Sequence, residues 1–118
     1  DKTSCKLCTN NEYRLKDRKA ALFPIRCDEN QYVHIINSVD ICLIDNMPKL
    51  RTTGVNVFRI QGQFYSPNTI GELVRYYKTA LFINERGYKE RQTLYSLKKR
   101  IRKLSARKIS HGKLFTGV

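Results

Sequence analysis

The chain predicts an α/β fold with parallel strand pairing, and three patterns predict it. Short β-branched runs end in turn formers, later segments carry apolar residues at helical spacing, and strand-like and helix-like stretches alternate along the sequence.

Residues 1–12 read as a polar loop. Residues 13–15 and 23–26 read as two short strands around the charged turn Lys16-Asp17-Arg18-Lys19. Residues 32–36 form a third, where Val33, Ile35 and Ile36 are β-branched. Asn37 and Ser38 offer helix-capping oxygens, so 39–44 is expected to be a short apolar helix. A second short helix is expected at 47–53, with Pro48 near its start and Gly54 in the left-handed position after it. Residues 55–60 are almost continuously apolar, the pattern of a strand buried on both faces.

Ser66-Pro67 opens the next helix as cap and first residue. Ile70, Leu73, Val74, Tyr77 and Leu81 then share one helical face. A last helix is expected over 90–108, with Leu94, Leu97, Ile101 and Leu104 as its apolar stripe. Residues 110–118 read as a loop-like tail. Two regions follow from this reading: 1–87 as the α/β part with a cysteine cluster, and 88–118 as a basic helix and tail.

At 118 residues the chain allows one modest core. Its net charge of +13 predicts a preference for polyanions, with RNA or DNA the default partner. The charge is concentrated, since residues 88–118 hold ten Lys or Arg against one acid, Glu90. Arg91, Lys98, Lys99, Arg100, Arg102 and Lys103 are the candidate phosphate ligands, and Tyr88 and Tyr95 the candidate stacking groups. A plainly solvated face, or an acidic protein partner, would also use such a helix. No apolar stretch is long enough to span a bilayer, and no apolar signal segment opens the chain, so a cytoplasmic protein is expected. A start at Asp1 without Met suggests a processed product or a piece of something longer.

All four cysteines fall within the first 42 residues: Cys5, Cys8, Cys27 and Cys42. The C-x-x-C spacing of Cys5 and Cys8 aims two sulfurs at one point, as zinc or an iron–sulfur cluster requires. Cys27 and Cys42 would then complete a four-thiolate shell. Thiolate softness does not choose between the two metals. Four cysteines also permit two disulfides, and Cys42, inside Ile41-Cys42-Leu43-Ile44, suits a small buried hydrophobe equally well.

Other chemistry is sparse. His34 lies in an apolar strand and reads as a satisfied structural histidine, while nothing local fixes His111. Asp45 is expected to cap the helix near Met47. Gly62 stands alone and suits a tight turn rather than a phosphate cradle. No Ser or Cys nucleophile stands in a recognisable setting with a His and an acid.

Three segments together resemble one family: Asp17-Arg18-Lys19 with Phe23-Pro24-Ile25, then Ile36-Asn37-Ser38-Val39-Asp40-Ile41-Cys42-Leu43-Ile44-Asp45, then Phe58-Arg59-Ile60-Gln61-Gly62-Gln63 with Ser66-Pro67. In order and spacing they resemble the collagenase-like peptidase family U32, and Gly112-Lys113-Leu114-Phe115-Thr116-Gly117-Val118 resembles a segment that follows the barrel in that family. The resemblance implies the last strand–helix units of a TIM-like barrel. It implies an iron–sulfur cluster on four cysteines, with zinc as the alternative. It also implies hydroxylation of pyrimidines in transfer or ribosomal RNA, or of a ubiquinone precursor, beside the older peptidase label. By position Cys5 and Cys8 resemble the family's close pair and Cys42 its cysteine after the strand.

Many members read Ile-Glu-Gly-Arg where this chain has Ile60-Gln61-Gly62-Gln63. Gln61 cannot serve as a general base, and Gln63 cannot clamp an anion as a bidentate Arg does. Asn37, Arg59, Gln61 and Gln63 are the substrate-pocket candidates by this resemblance. Three functions remain open at this point: an RNA-modifying iron–sulfur protein, a peptidase or other hydrolase, and a non-catalytic metal-binding subunit. Part of a barrel leaves open sheet edges, so an oligomer, a partner chain or a further segment is expected to complete it.

Overall fold

A computed structural model describes residues 13–30, 32–62, 65–84, 87–112 and 114. The chain divides into two compact units, 1–40 and 41–118. The boundary expected between 87 and 88 falls inside the second unit, between its two long helices.

In the first unit, β1 (Tyr13–Lys16), β2 (Leu22–Cys27) and β3 (Val33–Ile35) form an antiparallel sheet in that order. The expected parallel pairing is therefore corrected: tight turns join these strands, and a tight turn permits only antiparallel neighbours. Asp17 builds the first turn, its Oδ1 accepting from the amides of Lys19 and Ala21 at 2.8 Å each. Ala20 pays for that turn with a φ of 61°. Asp28 builds the second in the same way, accepting from Asn30 and Tyr32 amides. The register places Tyr13, Ile25 and Ile35 abreast, then Leu15 with Phe23 and Cys27 with Val33. One face of the sheet is thus apolar.

The second unit holds the core. The end of β4 (Val39–Ile41) pairs with β5 (Lys108–Ser110), and Cys42 N donates to Ser110 O at 2.8 Å. A helix was expected over 39–44; the β-branched Val39 and Ile41 take a strand instead, because a distant segment supplies the ladder. A 3₁₀ turn (Ile44–Asn46) leads into α1 (Met47–Thr52), followed by Gly54 at φ 89°. Residues 55–60 form no strand. Val57 is 85% exposed and only Phe58 and Ile60 turn inward. A strand buried on both faces needs a ladder partner on each side, and among the described residues none flanks this run.

α2 (Pro67–Leu81) starts as the sequence dictates, with Ser66 Oγ accepting from Thr69 N at 3.2 Å and Pro67 in the first turn. α3 (Tyr88–Leu104) ends four residues before the expected limit, because 108–110 becomes β5. Ile44, Met47, Leu73, Ala80, Leu94, Leu97 and Ile101 are buried together with Cys42, and Phe58, Tyr77, Leu104 and Ile109 pack around them. The molecule is mixed α/β with no closed barrel among the described residues, so the partial-barrel expectation is not carried by this structure.

Candidate functional site

Three side chains converge in the second unit. Asp45, in the 3₁₀ turn, was expected to cap α1, but Asn46 occupies the cap position and no side chain bonds there. Asp45 instead receives Lys98 from α3, with Nζ 2.5 Å from Oδ2. His111, just past β5, places Nε2 3.0 Å from the same oxygen and 2.8 Å from Lys98 Nζ. A single ring nitrogen cannot both donate to Asp45 and accept from Lys98, so the His111 tautomer selects one bond. Burial works to raise the Asp45 carboxyl, but hydrogen bonds from Lys98 and His111 outweigh it and hold it below the ordinary carboxylate range. The arrangement can hold a proton or fix the tail; it presents no Ser or Cys nucleophile.

Cys42 is 2% exposed, and Tyr77 of α2 donates its hydroxyl to the sulfur at 3.6 Å. Burial first, and the neighbouring thiol second, push the Tyr77 hydroxyl far above its ordinary value. Cys27 is half-buried on the apolar face of the first sheet, opposite Val33. Cys5 and Cys8 lie outside the described residues, as does Gln63. Among the described residues no three His, Cys, Asp or Glu side chains gather as a metal site would require.

The outer surface of α3 is strongly basic. Arg91, Lys99, Arg100, Arg102 and Lys103 are exposed, and Tyr88 and Tyr95 are 71% and 65% exposed. Lys98 differs from these candidates, since its ammonium is committed to Asp45 and is largely covered. The only acid on α3, Glu90, sits half-buried toward its core side. Of the substrate-pocket candidates, Asn37, Arg59 and Gln61 are all exposed. Gly62 makes the expected turn, with Tyr65 N donating to its carbonyl at 2.9 Å, and an added Cβ would stand 2.9 Å from the Ile70 side chain. His34 is satisfied by Asp28 at 2.9 Å, as expected of a structural histidine.

Sequence reasoning missed Asp45 and His111 as partners. They are 66 residues apart, and no local pattern joins them. A usable signal lay in the composition of α3: one lysine, Lys98, borders the leucine stripe and so needed an acid nearby.

Comparison with known proteins gives two matches. A sequence model of Peptidase family U32 matches residues 1–117. A Bacillus subtilis protein named tRNA hydroxylation protein P2 is 34% identical over 59 residues, which is 50% of this chain and 19% of that protein. The matched stretch thus spans about a fifth of the relative's length. No solved structure matches. No helix among the described residues is long and apolar enough to cross a membrane.

Proposed function

The chain belongs to peptidase family U32, and from that membership we propose that it is part of an RNA-modifying protein that contacts transfer RNA through α3. The observation that carries this reading is the exposed surface of α3, with six exposed cations, Lys89 among them, and no exposed acid. The name of the Bacillus subtilis relative supports the choice of transfer RNA over other polyanions. A cytoplasmic location and a partner chain or further segment that completes the fold belong to the same proposal.

Cys5, Cys8, Cys27 and Cys42 are the residues proposed to hold an iron–sulfur cluster, with zinc as the alternative. The donor set fits in kind, because four soft thiolates suit either group. Tyr77 bonding to the Cys42 sulfur also fits, as outer hydrogen bonds commonly tune a coordinated thiolate. Such a cluster would supply one-electron chemistry. Gln61 and Gln63, where the family resemblance leads one to expect Glu and Arg, offer neither a general base nor a bidentate anion clamp. The hydrolase reading has less support, since the Asp45–His111 pair is completed by a lysine rather than a nucleophile.

The test is purification without oxygen, followed by a visible spectrum, iron and zinc analysis, and binding to bulk transfer RNA. Iron with broad charge-transfer absorption and salt-sensitive RNA binding support the whole reading. Zinc with RNA binding supports a structural RNA-contacting module. Absence of RNA binding overturns it.

A further inference from the structure

We propose that the outward face of α3 is a stacking platform for unpaired nucleotides, so that this chain selects single-stranded RNA over duplex. The inference rests on the RNA-contact reading and specifies its ligand. Tyr88, Arg91, Tyr95, Lys99 and Arg102 follow one another at intervals of three, four, four and three residues. At about 100° per residue they occupy an arc of about 80°. The buried stripe of Leu94, Leu97 and Ile101, extended by Leu104, is centred about 140° away around the helix, so the arc lies on the solvent side with Arg91 at its edge nearest Leu94.

The order along the arc is aromatic, cation, aromatic, cation, cation. Two large tyrosine rings left mostly exposed on a helix whose core side is already filled have no packing role in this unit. A base has an apolar π-face for each ring, and a phosphate has an anion for each neighbouring cation. Seven residues of helix separate the rings by about 10.5 Å. That spacing is too wide for two bases stacked directly on each other at about 3.4 Å, so each tyrosine takes a base splayed out of the strand. Bases within a duplex are sandwiched by their neighbours and cannot present a face. Near its C-terminal end the arc meets a shallow open surface lined by Arg102, Ser105, Ala106, Arg107, Lys108 and Ile109, three of them cationic.

An acidic protein would be drawn to the same cations but would gain little from two rings in register with them. The test compares oligouridylate, which stacks poorly on itself, with a fully paired RNA duplex of equal length. Tyrosine fluorescence is the readout, since the chain has no Trp. Tyr88→Ala and Tyr95→Ala are each expected to weaken oligouridylate binding about tenfold, to leave duplex binding unchanged, and to preserve helicity by circular dichroism. Tyr88→Phe and Tyr95→Phe are expected to bind as the parent does, because stacking needs the ring and not the hydroxyl. Alanine variants that bind oligouridylate like the parent, or that lose duplex affinity equally, overturn the platform while leaving RNA contact standing. Failure of the parent to bind either RNA, or binding to an acidic polypeptide alone, overturns both.

Discussion

Lys98 and Asp45, 53 residues apart in sequence, stand 2.5 Å apart and tie α3 to the turn that follows β4. Both side chains are less than a third exposed, so the pair is neither a surface ion pair nor a dry one. A hydrogen bond to a charged group contributes about 1.5–3 kcal/mol when sheltered, and partial access to water reduces that. Lys98→Met is therefore expected to cost about 1 kcal/mol in urea unfolding. Asp45→Asn should cost a similar amount, and the double variant less than the sum of the two. Strict additivity would show that the two groups do not interact.

The same carboxylate sets an acid dependence. The folded-state value of Asp45 is depressed, so its contribution is complete above the ordinary carboxylate value of 3.8 and disappears as pH falls through the depressed one. Thermal melts of the parent and of Asp45→Asn are expected to differ at neutral pH and to converge in strong acid. A constant gap down to the acid limit would contradict this. Asp28 is lowered in the same direction, first by its hydrogen bond to His34, and since it is exposed to water its loss of charge in acid is expected to remove only a small contribution.

Tyr77 governs the alkaline side. Its hydroxyl is buried beside Cys42, and the value is raised above the ordinary 10.0. Stability is whole below that pH and falls as pH rises past it, because the unfolded chain can ionise and the folded one resists. Tyr77 is expected to titrate late, coincident with unfolding. Tyr77→Phe should remove that delayed phenolate signal. A titration curve of the folded protein left unchanged by Tyr77→Phe in its late, unfolding-linked phase would sink the assignment.

The sequence disclosed α2 and α3 well, because their information is local: Ser66-Pro67 marks a start, and Leu94, Leu97 and Ile101 repeat at helical spacing. It misled at 39–41 and at 55–60, where the deciding fact was distant. The end of β4 pairs with β5 some 67 residues away, a ladder that capping residues at 37 and 38 do not announce. Val55 and Val57 look like a core strand, but without flanking strands they face water. The basic face of α3 was legible as charge. Its division into exposed cations and a committed Lys98 was not, since Asp45 lies outside the helix.

The two units differ in how much they bury. All fully buried side chains among the described residues belong to the second, and β1 and β3 are exposed throughout. Opening free energy follows local burial, so hydrogen exchange is expected to be fastest in β1–β3 and slowest around Leu73 and Leu97. Leu97→Ala, which empties a core position, should cost about 2–5 kcal/mol and abolish protection in α2 and α3. Slow exchange across β1–β3 in the isolated chain would show that the sheet is sheltered by something its own burial does not supply.

Salt dependence separates the cations of α3 by role. Each phosphate neutralised on a single strand releases condensed counterions, and the logarithmic salt slope changes by about 0.7. Arg91, Lys99 and Arg102 lie on the exposed arc with Tyr88 and Tyr95, whereas Lys98 is held by Asp45 and His111. Arg91→Gln, Lys99→Gln and Arg102→Gln should each weaken RNA binding and flatten the slope by about that amount. Lys98→Gln is expected to lower the melting temperature and leave the slope near the parent value, because its charge is already compensated within the fold. If Lys98→Gln flattened the slope as much as the others, Asp45 would have to release it when RNA binds, and the ion pair would belong to the interface rather than to the fold.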